Sequence, residues 1–153
     1  MTLVRDARPP LVLIRMMNPI LRVLLATRAG RFVRPLALIE FAGRRSGRRY
    51  RVPVGWHRAG AEQLVFTPAP WRMNFAGGAA VMVHHLGRRE AMHATLDADP
   101  ASVARSLRAF FDGGGSPRQI GIRIANGHEL TPADVASVDR AAIRFESVSP
   151  VGP

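Results

Sequence analysis

The first regular pattern in the chain is helical. Between residues 11 and 27, Arg15, Asn18 and Arg22 are spaced to share one face, while Leu11, Ile14, Met17, Leu21, Leu24 and Leu25 fall on the other. The spacing predicts an amphipathic helix over 11–27, kinked or split at Pro19, where the ring crowds the preceding turn and an N–H is lost. Residues 1–10, with Pro9 and Pro10, read as an irregular lead-in.

Strand patterns follow. Leu36–Phe41 is a short apolar run, and Tyr50–His57 and Gln63–Thr67 are β-rich segments joined by an Arg58-Ala59-Gly60-Ala61 turn. Residues 71–78 read as one short helical turn ending in Gly77-Gly78. Ala80–Leu86 and Glu90–Leu96 form the next pair, with Gly87-Arg88-Arg89 as the tight connection. Asp99 and Pro100 open a helix that runs to about Phe111, where Gly113-Gly114-Gly115 stops it. Ile120–Ile124 is a candidate strand, Thr131-Pro132-Ala133-Asp134 caps another helix, and Ala142–Val148 is a last strand. About seven short strands in hairpin order, with about three helices, predict an antiparallel barrel with peripheral helices. A dinucleotide-binding α/β fold is excluded, because no Gly-rich turn links a strand to a long helix in the first half.

Length adds that 1–153 is expected to form a single domain. With 47% hydrophobic and 22% charged residues the chain lies far from the disordered class. It has no cysteine, which removes disulfides, thiolate zinc sites and thiol nucleophiles and makes a cytoplasmic protein the natural expectation. Charge changes the picture more. All 22 basic residues are arginine, against 11 acids, for a formal charge of +11. Codon bias can explain arginine in place of lysine but not a two-fold excess over acids, and such a balance favours anionic partners. The apolar run from Leu11 to Leu25 is broken by Arg15, Asn18, Pro19 and Arg22, so it is not expected to span a bilayer, which takes roughly 20 predominantly apolar residues.

The segment that carries chemistry is Gly43-Arg44-Arg45-Ser46-Gly47. Its glycines allow positive φ and close approach of backbone amides to a ligand, Ser46 offers a hydroxyl, and the two guanidiniums supply forked donors matched to phosphate oxygens. Arginines 44, 45, 48, 49 and 51 repel one another unless an anion or an acid neutralises them. The plain alternative is a solvated basic hairpin turn. Pro53 lies in a strand-like run, and since it lacks a ladder donor that strand is expected at a sheet edge or opening towards a ligand.

These residues resemble the deazaflavin-dependent nitroreductases, within the split β-barrel flavin and deazaflavin oxidoreductases. The likeness rests on Gly43 to Gly47, on Val52-Pro53-Val54, and on Trp71-Arg72-Met73-Asn74-Phe75 with Ala76 to Val81 after it, and covers roughly residues 15 to 97. It implies an α+β fold built on a mostly antiparallel, FMN-binding-like split barrel that holds coenzyme F-420 in an open, basic groove. It implies that Arg44, Arg45, Ser46 and Gly47 hold the phosphate or acidic tail. Arg51, Val52, Pro53 and Val54 would line the deazaflavin ring, and Thr67, Trp71, Arg72, Asn74 and Phe75 would close the other side. The implied reaction passes hydride from the reduced coenzyme to a small apolar acceptor of quinone or nitroaromatic type. The coenzyme supplies that chemistry, so no catalytic acid–base pair is named. Related proteins usually carry a longer Ser/Gly-rich loop before the tryptophan segment. Here Thr67-Pro68-Ala69-Pro70 is short and stiff. Other relatives of the fold bind a lipid, haem or flavin mononucleotide (FMN), which leaves a non-catalytic carrier as the alternative.

The remaining residues narrow the choice. His84 and His85 are adjacent on a strand and point to opposite faces, and His57, His93 and His128 show no ligand spacing, so no metal site is expected. Trp56 is expected in the core. Ser46 has no His–Asp partners, which sets aside a hydrolase triad. Only 7% of residues are aromatic and few lie beside the arginines, so nucleic acid is not an expected partner. Residues 11–34 either cover the barrel or contact an anionic membrane peripherally, and a homodimer is open.

Overall fold

A computed structural model of the chain describes residues 3–7, 19, 22–28 and 36–148. Nine strands lie among the described residues: β1 (Val4–Asp6), β2 (Leu36–Ala42), β3 (Arg49–Gly55), β4 (His57–Ala59), β5 (Glu62–Thr67), β6 (Ala79–His85), β7 (Arg88–Asp97), β8 (Ile122–Ile124) and β9 (Ala141–Ser147). Besides the helical residues 22–26, two α-helices accompany them, α1 (Pro100–Asp112) and α2 (Pro132–Ser137), with 3₁₀ turns at Pro70–Phe75 and Pro117–Ile120. Seven strands form one sheet in the order β3-β2-β6-β7-β9-β5-β4, antiparallel throughout. β3 and β4 stand at its two edges, yet Trp56 alone separates them in the chain. The sheet therefore rolls up until its edges are one residue apart. No ladder joins β3 to β4 or β5 among the described residues, so the result is a split barrel.

Strand alternation then sorts the side chains into two cores. Ala37, Ile39, Phe41, Val65, Val81, Val83, Met92, Ala94, Ile143 and Phe145 point into the barrel around Phe75 and Trp56. Leu64, Phe66 and Ala142, one register step away, point outwards into a second core with Val103, Leu107 and Phe110 of α1 and Val135 of α2. α1 forms because Asp99 caps it, its carboxylate accepting from the Ser102 N–H at 3.2 Å, and because Val103, Ala104, Leu107 and Phe110 fall on one face. α2 starts on the expected capping box, in which Thr131 Oγ1 accepts from the Asp134 N–H and Asp134 accepts from the Thr131 N–H. Those Thr131 bonds, with the His128 ring 2.7 Å away, hold the Asp134 carboxyl below its ordinary pKa.

Several expected boundaries move. The irregular lead-in contains β1, which pairs with β8 and buries Val4 in the outer core; the lead-in carries no local signal for it, because the strand exists only through that pairing. The turn expected at residues 58–61 shrinks to Gly60-Ala61, with Gly60 at φ +63°, since His57–Ala59 pairs with β5. The β6–β7 connection is Leu86-Gly87 rather than Gly87-Arg88-Arg89, whose arginines belong to β7. The strand expected over 120–124 begins only at Ile122, Ile120 closing a 3₁₀ turn that ends on Gly121 at φ +72°. Most of the helix expected over 11–27 lies outside the described residues. Residues 22–26 are helical, and Leu25 is fully buried. A Cβ on Gly87 would lie 2.9 Å from the Arg28 carbonyl oxygen, so this segment packs on the β6–β7 hairpin. No described helix is long and apolar enough to cross a membrane.

His57 is the buried titratable group of the outer core. Its ring lies 4.7 Å from that of Phe110 and 6.1 Å from that of Phe66, and burial pushes its pKa from 6.5 down to about 4. Between those values the unfolded chain takes up a proton that the folded chain refuses, so stability falls as pH drops through the window. At about 1.4 kcal/mol per pKa unit, the loss is on the order of 3 kcal/mol. Urea unfolding at intervals from neutral pH down to the lower value should show the parent losing more stability than His57→Phe by about that amount. Equal slopes for the two proteins would clear His57 of the role.

Candidate functional site

The β2–β3 connection folds on itself through three bonds. The Gly43 N–H donates to the Arg48 carbonyl at 2.7 Å and the Gly47 N–H to the Gly43 carbonyl at 2.8 Å. Ser46 Oγ accepts from the Arg48 N–H at 3.2 Å. Asn74, from the 3₁₀ turn, accepts from the Arg44 N–H at 2.9 Å and donates to the Trp71 carbonyl at 2.8 Å. That side chain ties the arginine loop to the tryptophan segment, so two distant stretches of sequence form one site. Gly43 is needed for contact: a Cβ there would sit 2.8 Å from the Tyr50 ring and 2.9 Å from Ser46 Oγ. Gly47 is needed for conformation, at φ +68°.

Gly43, Arg44, Arg45, Ser46, Tyr50, Met73 and Asn74 line an open groove of about 410 Å³. Beneath it runs an aromatic row. Tyr50 stacks on Phe41 at 5.6 Å, and Phe41 meets Trp71 at 5.9 Å and Phe75 at 4.9 Å. The charge is one-sided. Arg51 pairs with Glu40 at 2.7 Å, and the other oxygen of Glu40 meets His84 Nε2, also at 2.7 Å. Burial works to raise the Glu40 pKa, but the His84 hydrogen bond and the charges of His84, Arg51 and Arg49 outweigh it and hold the carboxyl below its ordinary value. Among the described residues no carboxylate lies within 4.0 Å of Arg44, Arg45, Arg48 or Arg49. The Arg45 and Ser46 N–H groups likewise find no acceptor among the described residues. Guanidiniums and free amides concentrated at one exposed turn have the chemistry to attract an anion.

The structure gathers Arg44, Arg45, Ser46 and Asn74 on this groove, with Gly47 at its turn. Of the other expected residues, Trp71 and Phe75 belong to the aromatic row, and none lines the groove itself. Arg51 lies on the opposite face of β3 from Tyr50, against Glu40. Arg72 reaches Asp139, bonding its carboxylate at 3.0 Å and its carbonyl at 3.3 Å. Val54, Thr67 and Phe75 are buried, Val52, Pro53 and Trp71 half-buried. Thr67 Oγ1 accepts from the Ala69 N–H at 3.0 Å, so the short proline loop keeps that amide for itself. β3 is an edge strand, as Pro53 requires. Tyr50 and Met73 were not among the expected site residues. Tyr50 was within reach of sequence reasoning, because alternation puts it on the face of Val52 and Val54. Met73 was not, since a six-residue 3₁₀ turn has no face that periodicity reveals.

No family model matches the chain, and no curated protein matches it. Among solved structures, one described as a domain-swapped dimer aligns with a TM-score of 0.51 at 15% identity, over 90% of this chain and 100% of that one. An FAD and haem binding protein from Mycobacterium smegmatis aligns at 0.37 and 18% identity, over 99% and 87%. The protein Atu2129 from Agrobacterium tumefaciens, of unknown function, aligns at 0.37 and 13%, over 96% and 58%. The first likeness is one of fold, and agrees with the split barrel described above.

Gly47 gives a direct check on the loop. A methyl group there meets nothing within 4 Å, so the cost of Gly47→Ala is purely that of holding φ at +68°. Urea denaturation should show a loss of about 1 kcal/mol or more. No loss would mean that the turn relaxes to another conformation.

Proposed function

We propose that the protein is a deazaflavin-dependent oxidoreductase that passes hydride from reduced coenzyme F-420 to a small apolar acceptor of quinone or nitroaromatic type. The observation that carries this reading is the groove at Arg44, Arg45 and Ser46, with two uncompensated guanidiniums, free loop amides and a bond from Arg44 to Asn74. The donor set fits a phosphodiester with an acidic tail. The proline loop offers little, so the anionic part is held from the β2–β3 side alone. When bound, the deazaflavin ring supplies the hydride chemistry. The chain's own residues bind and orient: Arg44 and Arg45 grip the phosphate, Asn74 fixes the loop, and the aromatic row under Tyr50 gives a flat ring an apolar surface. The reading includes a homodimer, the state in which the neighbour of matching fold is described.

Changing Arg44 and Arg45 together to Ala should weaken binding of coenzyme F-420 by about 2–4 kcal/mol, through the loss of charge-assisted hydrogen bonds. Titration by absorption and fluorescence, run beside FMN and haem, reads both affinity and choice of ligand. Unchanged affinity in the double variant would make the loop structural. Retention of FMN or haem, with no binding of the deazaflavin, would assign the chain to the carrier class instead.

A further inference from the structure

The end of the barrel opposite the arginine loop holds a second cavity, of about 390 Å³. Strand alternation points Val81, Val83 and His85 of β6, and Ala94, Met92, Glu90 and Arg88 of β7, towards the barrel interior, with Val83 opposite Glu90 and His85 opposite Arg88. On β5 the matching row is Val65 and then Gln63. Each row turns from apolar to polar towards this cavity, which Gln63, His85, Arg88 and Glu90 all line. Val83 and Met92 form a buried floor. Trp56 forms a wall, its ring packed 4.6 Å from Phe145 and 5.5 Å from His85.

The lip is the unusual part. Leu86 and Gly87 make the two-residue β6–β7 turn with φ of +54° and +77°. Asn, Asp or Gly sits at ease in the first of these positions; a leucine is strained there. This leucine is 41% exposed and borders the cavity. Backbone strain held beside a cavity is a mark of a site. The rim supplies the charge. Arg88 has no carboxylate within 4.0 Å among the described residues, whereas Glu90 accepts from Ser147 Oγ at 2.7 Å. Arg88 therefore offers donors to one anionic group, and Glu90, two residues away on the same face, repels a second.

We propose that this mouth binds a small planar aromatic molecule bearing a single acid group. Its ring lies between the Trp56 indole and the Leu86 side chain over Val83 and Met92, and its carboxylate meets Arg88 and Gln63. The volume suits one or two fused rings. The site is separate from the coenzyme groove and does not depend on that reading.

The test uses naphthoate on the full chain, followed through the Trp56 indole N–H signal in a nitrogen–proton correlation spectrum, assigned against Trp71→Phe. A saturable shift is expected. Arg88→Gln should weaken binding by about tenfold or more, and uncharged naphthalenemethanol should bind the parent about tenfold less well, with no further loss in Arg88→Gln. Leu86→Asn should raise the melting temperature and lower the affinity, a combination that a purely structural turn would not give. Arg44→Ala with Arg45→Ala should leave naphthoate binding unchanged, which separates this site from the groove. No saturable shift at Trp56, or parent-like affinity in Arg88→Gln or in Leu86→Asn, would overturn the proposal.

Discussion

Strands at the two edges of a seven-stranded sheet can be joined by one residue only if the sheet rolls up, and Trp56 is that residue. Its ring is buried inside the barrel against Phe145, so the link that forces closure also fills the space that closure creates. The inward row of β2, Ala37, Ile39 and Phe41, then has a core to enter, and the outward row of β5 and β9 has a surface on which α1 and α2 can pack. Remove the curl and both hydrophobic sets lose their partners together.

Closure also gives the barrel two ends with different chemistry. At one, the β2–β3 turn projects beyond the rolled sheet, where Arg44, Arg45, Arg48 and Arg49 face solvent without carboxylates among the described residues. Arg51, on the same strand, is drawn back by Glu40, which His84 also grips. The local excess of charge is therefore confined to the loop. At the other end, polar side chains ring an apolar floor. The first end therefore presents concentrated positive charge and hydrogen-bond donors, and the second an apolar floor with a charged rim.

Two arginines elsewhere in the fold each make several bonds. Arg140 is almost wholly enclosed, and its guanidinium donates to the carbonyls of Ile120, Val138 and Gly121 and to Asp6, tying β1 to the outer core. Arg144 joins Asp97, Glu62, Ser102 and Ser106, fastening α1 to β5, β7 and β9. Burial tends to raise the Asp97 pKa, but the Ser102 and Arg144 bonds prevail and keep it low. Such multiply bonded guanidinium networks are costly to break by halves.

Much of this was determined by sequence, because it follows from local rules. Apolar and β-rich runs gave the strands of the barrel, Asp99 and Thr131 with Asp134 gave the helix starts, Pro53 gave an edge strand, and Gly47 gave a left-handed turn. The arginine loop was legible too, since guanidiniums, serine and glycine in one short run need no distant partner to be noticed. Tertiary structure decided what depends on meeting. β1 exists only because β8 pairs with it, and Arg72 leaves the groove only because the Asp139 turn stands within reach. Met73 enters the site because Asn74 ties the 3₁₀ turn to the loop. The mouth at Trp56 is assembled from β5, β6, β7 and the residue between β3 and β4. No short window of sequence contains it, because only the rolled sheet brings those residues around one cavity.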